Sequence, residues 1–382
     1  MNQITVLHVA ETLRGGIASY LEEILPEQLS RIGAGRLHVL APAAQLEELP
    51  SCLNDNIDTF VESRWRGGNV FRLICAIYRV MKERDVDVVH LHSTFAGVAG
   101  RLCLRLLRKR VKVVYCAHGW AFDRDCARWK NFLVNRMELL LSRWTDSIVC
   151  ISAHDYESAL SAGIPADRLV LIRNGISQRK DETSEVKWPE GKRRFLFVGR
   201  FDRQKGVDLF VEAMERTGDG AFAYLVGSPV VNEVSFSLPA NVQVVDWVPR
   251  PVVQHYIASA DVVVVPSRWE GFGLIALEAM RAGRPVIAAR VGGLSELVAD
   301  GSTGFLFEPG SVAALAERMR ECMGAEADLG GLGERARLLF ESRYLADRLN
   351  TELLRLYSSL VLAEPYLGTR GGYAAEAAPS GE

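Results

Sequence analysis

The amino-acid sequence predicts an α/β protein with two doubly wound domains, each built around a parallel sheet. Apolar runs of strand length alternate with helical patterns along most of the chain, which is typical of parallel sheets covered by helices. This alternation is interrupted once, by a polar stretch at residues 178–194. With 382 residues, of which 48% are hydrophobic, the chain is long enough to bury two cores.

The first alternation predicts an N-terminal domain over residues 1–177. Its strands are predicted near 4–10, 36–41, 87–91, 111–117, 147–151 and 169–172, and its helices near 17–31, 69–84, 95–108, 128–144 and 153–162. The stretch 178–194 carries many charges together with Pro189 and Gly191 but shows no periodicity, which indicates an interdomain linker.

The second alternation predicts a C-terminal domain over residues 195–340. Its strands are predicted near 195–198, 222–227, 241–246, 261–265, 285–288 and 304–307. An amphipathic pattern then predicts a last helix within 341–364. The tail, 365–382, is rich in small and polar residues and is expected to be disordered.

The stretch PSRWEGFGLIALEAMRAGRPV, residues 266–286, has the pattern of a binding site. Glu270 and Glu278 lie eight residues apart, and Gly271 and Gly273 let the backbone between them approach a ligand closely. An apolar run at 262–265 predicts a buried strand that feeds this loop, and the helix that follows offers unpaired amides to an anion. A diphosphate flanked by hydroxyl-rich groups, as in a nucleotide sugar, fits this layout. Two solvated charges on a helix surface are the ordinary alternative.

A second motif lies upstream, in FLFVGRFDRQKGVDLFVEAM at residues 195–214. A short apolar strand ends at Gly199, and Arg200 and Lys205 follow before a helix that begins near Gly206. Two cations at the carboxyl end of a strand form a cradle for phosphate oxygens, although a pair of surface cations would give the same pattern. The stretch lacks both the P-loop pattern and the dinucleotide fingerprint.

Together these motifs resemble those of the retaining glycosyltransferases of family 4. Members of that family carry Glu-x(7)-Glu, here EGFGLIALE, and an upstream G-R-x(4)-K-G, here GRFDRQKG. Further similar stretches are RGG at 14–16, His118-Gly119, RNGI at 173–176, VGGLSELV at 291–298 and DGSTGFLFEPG at 300–310. The resemblance implies the GT-B fold, in which two Rossmann-like domains face each other across a cleft and a C-terminal helix crosses back to the N-terminal domain.

The resemblance also implies an activity, the transfer of a sugar from a UDP-, GDP- or ADP-sugar to an acceptor hydroxyl with retention of configuration. The N-terminal domain would bind a saccharide or lipid-linked acceptor, and the C-terminal domain the donor, in cell-surface polysaccharide, exopolysaccharide or lipopolysaccharide biosynthesis. The catalytic candidates are His118, Arg200, Lys205 and Glu270. The donor-binding candidates are Gly15, Gly16, Gly199, Gly271, Phe272, Gly273, Leu274 and Glu278.

The charged candidates have distinct expected roles. Arg200 and Lys205 would stabilise the negative charge that develops on the departing diphosphate. By the same resemblance, Glu270 would orient hydroxyls of the donor sugar and Glu278 those of the ribose.

The candidates of the N-terminal domain have simpler alternatives. Gly15 and Gly16 would let the backbone approach the donor and acceptor, but a plain tight turn would also explain them. His118, at the end of a central strand, would lie beside the transferring sugar, and a buried histidine bonded to a carbonyl is the alternative. His90 and His92, at the end of another strand, are weaker candidates.

Two Asp-x-Asp triplets raise the question of a metal. Residues 85–87 precede a strand and so lie at the wrong edge of the sheet, whereas residues 123–125 follow one. Arg200, Lys205 and the helix start at Gly273 already supply positive charge, and the resemblance is to metal-independent enzymes. We therefore expect no metal and no cofactor.

A basic stretch, RLCLRLLRKRVK at 101–112, holds six cations and no acid. Lys and Arg exceed Asp and Glu by three up to residue 175 and fall short by five thereafter, so the first domain would suit an anionic membrane surface or a lipid diphosphate. The solvated face of a helix is the alternative. Nucleic acid is not expected as a partner, because the net charge is slightly acidic and no recognition motif is present.

The expected location is cytoplasmic, with peripheral contact at the inner face of the cytoplasmic membrane. No run of eighteen apolar residues is present, and the first residues, MNQITVLHVAET, lack a basic region and a cleavage site. Seven scattered cysteines without a C-x-x-C pair fit a reducing compartment.

Three other functions would share much of this pattern. A glycosyl phosphorylase would use inorganic phosphate, a sugar-nucleotide epimerase would need no acceptor, and a non-catalytic subunit would bind a nucleotide sugar without turnover.

Overall fold

The computed structural model describes residues 4–63, 65–107, 110–178, 186–229 and 237–366. The chain divides into two compact units, unit 1 with Met1–Ser177 and Ala346–Glu382, and unit 2 with Gln178–Leu345. Residues 179–185 of the predicted linker and residues 367–382 of the predicted tail lie outside the described residues.

Unit 1 is built on a seven-stranded parallel sheet in the order β3-β2-β1-β4-β5-β6-β7. Its strands are β1 (Val6–Ala10), β2 (Leu37–Pro42), β3 (Ile57–Phe60), β4 (Val88–His92), β5 (Lys112–Cys116), β6 (Ser147–Cys150) and β7 (Leu169–Leu171). Its first five helices are α1 (Gly16–Ile32), α2 (Arg66–Glu83), α3 (Thr94–Leu107), α4 (Arg128–Ser142) and α5 (Ala153–Ser161).

Six of these seven strands are predicted from the sequence, and β3 is not. The six are short, mostly apolar runs in which nearly every residue is buried, as expected where helices cover both faces of a parallel sheet. In contrast, β3 is an edge strand with the sequence IDTF, in which only Phe60 is buried. It therefore carries no apolar run that would mark it as a strand.

Unit 2 is built on a six-stranded parallel sheet in the order β10-β9-β8-β11-β12-β13. Its strands are β8 (Arg193–Val198), β9 (Ala221–Val226), β10 (Val242–Val245), β11 (Val262–Val265), β12 (Val286–Ala289) and β13 (Gly304–Phe307). Its helices are α6 (Val207–Thr217), α7 (Arg250–Ser259), α8 (Leu274–Arg281), α9 (Leu294–Leu297), α10 (Val312–Met323) and α11 (Leu329–Arg343). All six strands agree with the predicted positions.

The last helix, α12 (Ala346–Leu362), returns to unit 1 and packs along α1. Asn350 donates a hydrogen bond to the backbone oxygen of Glu23 on α1 at 3.1 Å. Leu349, Leu353 and Leu356 are fully buried, so an apolar face of α12 closes the core of unit 1. This confirms that the C-terminal helix crosses back to the N-terminal domain.

Each sheet has one point where the chain order reverses, between β1 and β4 in unit 1 and between β8 and β11 in unit 2. Connections leave in opposite directions on the two sides of such a point, and ligands of open α/β sheets bind in the resulting crevice at the carboxyl ends of the strands. The loops after β1, β8 and β11 start at these places, so the glycine-rich motifs lie there.

Candidate active site

The two motifs predicted to hold the donor meet at the reversal point of unit 2. Lys205 lies in the loop after β8 and Glu270 in the loop after β11, and Lys205 Nζ is 2.5 Å from Glu270 Oε2. The hydroxyl of Ser267 donates to the same oxygen at 3.1 Å. Because β8 and β11 are neighbours in the sheet, residues 65 positions apart form one charged cluster.

Arg200 is tied into the loop after β8. Its guanidinium is 2.9 Å from the carboxylate of Asp202 and donates to Gln204 at 2.8 Å. The other oxygen of Asp202 accepts a hydrogen bond from the backbone amide of Lys205 at 3.0 Å. Both cations of the predicted phosphate cradle are therefore paired with carboxylates, which sequence reasoning did not foresee. A diphosphate bound here would compete with Asp202 and Glu270 for them.

The helix start expected to bind an anion is the beginning of α8. Gly273 precedes it with φ of +98°, and a Cβ added there would lie 2.4 Å from a methyl carbon of Leu294. Intrahelical bonding begins when Ala276 donates to the oxygen of Gly273, so the amide of Leu274 precedes the first intrahelical bond. The ring of Phe272 is buried and packs against Tyr344, so Phe272 has only its backbone to offer a ligand.

A third loop, after β12, supports the glutamate loop. Gly292 has φ of +48°, and a Cβ added to it would lie 1.7 Å from the backbone oxygen of Glu270. Gly293 donates a hydrogen bond to the oxygen of Gly271 at 3.2 Å. The VGGLSELV stretch thus holds the backbone around Glu270 in place, a role that its sequence does not specify.

Glu278 is 6% exposed and has partners on α7 that sequence reasoning missed. One carboxylate oxygen is 2.9 Å from Arg250, and the other accepts a hydrogen bond from Gln254 at 3.0 Å. Arg281 in turn donates to Gln254 at 2.5 Å. A carboxylate oxygen has two lone pairs, so Glu278 keeps the capacity to accept from hydroxyls of a ligand.

Glu278→Ala is expected to raise the Michaelis constant for the donor about tenfold and to leave kcat within about twofold, because the hydrogen bond expected between its carboxylate and a donor hydroxyl would be lost. Glu278→Gln, which keeps an acceptor, should have a smaller effect. Steady-state kinetics on both variants, with circular dichroism to check folding, makes the comparison. An unchanged Michaelis constant in folded Glu278→Ala would remove Glu278 from the donor site.

In unit 1, His118 follows β5 and adopts φ of +54°, an uncommon value for a residue other than glycine. Its Nε2 is 3.0 Å from Nδ1 of His92, so its partner is a second histidine and not a carbonyl as in the simpler alternative. The ring of Tyr20 lies edge-on, 4.7 Å away between centroids. Loss of hydration lowers the pKa of His118, which favours the neutral ring.

The glycine pair after β1 lies where α1 begins. Gly15 precedes the helix with φ of +68°, and Gly16 is its first residue. A Cβ added to Gly16 would meet no described atom within 4 Å, so packing does not require a glycine here. Gly199 likewise directly follows β8, at the carboxyl edge of the unit 2 sheet.

The two Asp-x-Asp triplets have partners within the protein. Asp87 accepts a hydrogen bond from the amide of Thr5 at 2.8 Å, at the amino edge of the unit 1 sheet. Asp123 lies 3.4 Å from Nε2 of His154 and raises the pKa of that histidine. Among the described residues, ring nitrogens of His8, His90 and His92 lie within 4.8 Å of one another, near enough for one metal ion to bridge.

The predicted basic surface at 101–112 needs a correction. Arg101 is fully buried, lies 2.8 Å from Glu138 and stacks 4.0 Å above the ring of Tyr115. A buried guanidinium requires a carboxylate partner, and Glu138 on α4 provides one. Arg101 therefore cannot face a membrane, and Lys112 is also near a carboxylate, 3.6 Å from Asp146. Arg108 and Lys109 lie outside the described residues.

The chain matches two protein-family models in adjoining parts. A model of glycosyltransferase family 4 matches residues 14–180, and a model of the group 1 glycosyl transferases matches residues 178–338. A 41.2 kDa protein encoded in the cps region of Klebsiella pneumoniae is 32% identical over 314 residues, covering 79% of this chain and 86% of that protein.

A relative with a named activity and a solved structure are also similar. The UDP-Gal:alpha-D-GlcNAc-diphosphoundecaprenol alpha-1,3-galactosyltransferase of Escherichia coli is 26% identical, covering 62% of this chain and 66% of that enzyme. HepE of Anabaena in complex with UDP and glucose superposes with a TM-score of 0.78 at 21% identity, covering 93% of this chain and 100% of that one. Two parallel sheets of this order, two adjoining family matches and a relative similar along most of its length agree: the chain belongs to glycosyltransferase family 4 and has the GT-B fold.

Proposed function

We propose that the protein transfers a sugar from a nucleoside diphosphate sugar to an acceptor hydroxyl with retention of configuration and without a metal ion. The observation that carries this proposal is the Lys205–Glu270 pair at the reversal point of unit 2, beside the start of α8. A cation, a carboxylate and unpaired amides at one strand edge match the needs of a diphosphate attached to a sugar.

In this reaction the bond between the anomeric carbon and the diphosphate oxygen breaks, and a bond to the acceptor oxygen forms. Arg200, Lys205 and the amides at the start of α8 stabilise the charge that develops on the diphosphate. As the diphosphate draws Lys205 away, Glu270 gains an oxygen that can accept a hydrogen bond from a donor-sugar hydroxyl. These two cations supply the charge compensation that a metal supplies in other transferases, which supports a reaction without one.

Retention fits an attack by the acceptor on the face that the diphosphate leaves, with the departing phosphate accepting the proton of the hydroxyl. This route needs no protein nucleophile. The carboxylate of Glu270 is held by Lys205 and Ser267. It orients the donor sugar and does not act as a nucleophile. We assign to His118 the orientation of the transferring sugar.

For the substrates we propose a UDP-sugar as donor, with GDP- and ADP-sugars as alternatives, and a lipid-linked saccharide as acceptor in cell-surface polysaccharide biosynthesis. Support comes from HepE, which is bound to UDP and glucose, and from the galactosyltransferase, whose acceptor is a diphosphoundecaprenol-linked sugar. The relative encoded in a cps region has the same implication.

A thermal-shift screen tests the donor, since a ligand that binds the native state raises its melting temperature. UDP, GDP, ADP, their common sugars and NAD would each be added with magnesium and with a chelator. We expect an equal shift in both conditions for one nucleoside diphosphate. A shift that needs magnesium would overturn metal independence, and a shift with NAD alone would overturn the donor assignment.

The alternative functions separate by product analysis. A phosphorylase would cleave a glycoside only when inorganic phosphate is present. An epimerase would convert the donor alone, which nuclear magnetic resonance detects. A non-catalytic subunit would bind the donor and never release a nucleoside diphosphate, whatever acceptor is offered.

We also propose that unit 1 contacts a membrane surface through α4, and not through 101–112 alone. Trp129, Phe132, Leu133 and Leu140 recur at helical spacing and are at least half exposed, so they form one apolar stripe. Lys130 and Arg136 lie beside the aromatic rings of this stripe, at 5.6 and 5.1 Å. Apolar rings flanked by cations suit the headgroup region of an anionic membrane.

Phe132→Ser is expected to weaken binding to anionic vesicles about tenfold or more, because burying one aromatic side chain in the interface contributes about 1.5–3 kcal/mol. Phe71→Ser is the matched control, since Phe71 on α2 is 67% exposed and lies outside the stripe. Co-sedimentation with phosphatidylglycerol and with phosphatidylcholine vesicles measures both. Equal loss in the two variants, or no binding by the unaltered protein, would contradict a membrane face on α4. No described helix is long and apolar enough to cross a membrane.

A further inference from the structure

A chain of hydrogen-bonding side chains crosses the core of unit 1 and ends at His118. It begins at Gln28 on α1, whose Oε1 is 2.8 Å from Nε2 of His8 on β1. Nδ1 of His8 is 2.9 Å from Nε2 of His92 on β4, and Nδ1 of His92 is 3.0 Å from Nε2 of His118. Gln28, His8 and His92 are fully buried, while His118 as a whole residue is half-buried.

Burial keeps these rings neutral near neutral pH. It lowers the pKa of His8 to about 4 and that of His92 well below its usual value. A neutral imidazole has one nitrogen that donates a hydrogen bond and one that accepts. Each ring in the chain must therefore accept on one side and donate on the other, so one end of the chain decides the direction of every bond in it.

Gln28 is that end. An amide oxygen can only accept, so the Oε1 that faces His8 requires the proton of His8 on Nε2. The amide nitrogen of Gln28 is buried and has no hydrogen-bond partner among the described residues.

The remaining protons follow from this one. Nδ1 of His8 is unprotonated and accepts a hydrogen bond from Nε2–H of His92. Nδ1 of His92 is likewise unprotonated and accepts from Nε2–H of His118. Nδ1 of His118 is then left as an acceptor. In this scheme the lone pairs of His8 Nδ1 and His92 Nδ1 both accept hydrogen bonds, which argues against a metal ion shared by these two residues.

We propose that Gln28, His8 and His92 are positioning residues that hold His118 in the tautomer protonated on Nε2. In this tautomer Nδ1 of His118 is free to accept a hydrogen bond from a sugar hydroxyl. The part of this proposal that concerns a sugar hydroxyl rests on the proposed function, whereas the tautomer does not. It differs from a merely structural role for the buried histidines, because it fixes which nitrogen of one ring carries the proton.

The test is a long-range ¹H–¹⁵N correlation spectrum of the full chain labelled with ¹⁵N-histidine, without substrate, in which the two tautomers give different patterns. The resonances of His118 are assigned by their loss in His118→Gln. We expect Nε2 protonation in the unaltered protein. Protonation on Nδ1 would overturn the proposal, and this result does not depend on any transferase activity.

Variants then test the direction from Gln28. Gln28→Leu removes the acceptor and is expected to give His118 as a mixture of the two tautomers. Tyr115→Phe is the matched control. Tyr115 lies on β5 of the same sheet, and its buried hydrogen bond to Glu138 is not part of the row of hydrogen bonds from Gln28 to His118. A His118 pattern that is the same in Gln28→Leu and in the unaltered protein would contradict control by Gln28.

Kinetics supply the link to the site. If the proposed donor is turned over, Gln28→Leu should lower kcat/KM in proportion to the molecules that lose the Nε2 tautomer, about twofold for an equal mixture, while Tyr115→Phe retains it. If His118 is protonated on Nε2 but no nucleotide sugar is turned over, the proposed function is contradicted. The hydrogen-bond directions assigned from Gln28 to His118 would still stand. Full activity with mixed tautomers would contradict the role of the tautomer in the site.

Discussion

Lys205→Ala is expected to lower kcat about a hundredfold or more while the fold is retained. Lys205 is the cation that stands opposite Glu270, and the diphosphate would lose the charge that stabilises its departure. The measurement is the release of nucleoside diphosphate at saturating donor, with the melting temperature as a check on folding. Lys192→Ala is the control, because Lys192 is a half-buried lysine of the same unit that bonds to the backbone oxygen of Asp219. Activity above half in folded Lys205→Ala would refute the assignment.

Glu270→Ala is the second large effect, a loss in turnover of about a hundredfold or more, because the donor sugar would lose the carboxylate that orients it. Glu215→Ala, an exposed glutamate on α6, is the matched control and should be silent. Glu270→Gln keeps acceptor capacity and should lie between the two. Near-normal turnover in a folded Glu270→Ala protein would exclude Glu270 from the reaction.

The double variant, Lys205→Ala with Glu270→Ala, separates a shared role from two independent ones. The two side chains contact each other, so their effects should combine to less than the product of the single losses. Fully multiplicative losses would show that the pair seen in the structure is not maintained during the reaction.

Most of the fold could be predicted because parallel strands buried on both faces leave short apolar runs in the sequence. Thus β11, with the sequence VVVV, is evident, whereas β3 at the sheet edge is not. For α12 the amphipathic pattern predicts a helix, and only the resemblance to family 4 indicates that it returns to unit 1. The sequence pattern marks a face to be buried but does not name the surface that buries it.

The charged residues of the site could be predicted from the sequence, but their partners could not. Glu270 and Lys205 were identified because each belongs to a local motif at the end of a strand. The residues of such a motif are close together in the sequence, so the pattern can be read directly. Their pairing, and the pairing of Glu278 with Arg250 and Gln254, join residues that are far apart in the chain. No local pattern reports such contacts.

The amino-acid sequence by itself determined the alternation of elements, the edge at which the motifs lie and the family to which the chain is similar, because these depend on neighbours in the sequence. Tertiary structure alone decided which charges are free and which protons are fixed. It buried Arg101 against Glu138, 37 residues away, where a basic surface was expected. It also aligned Gln28, His8, His92 and His118 into one chain. Charge pairing and proton position depend on distances of about 3 Å between strands and helices, and packing sets those distances.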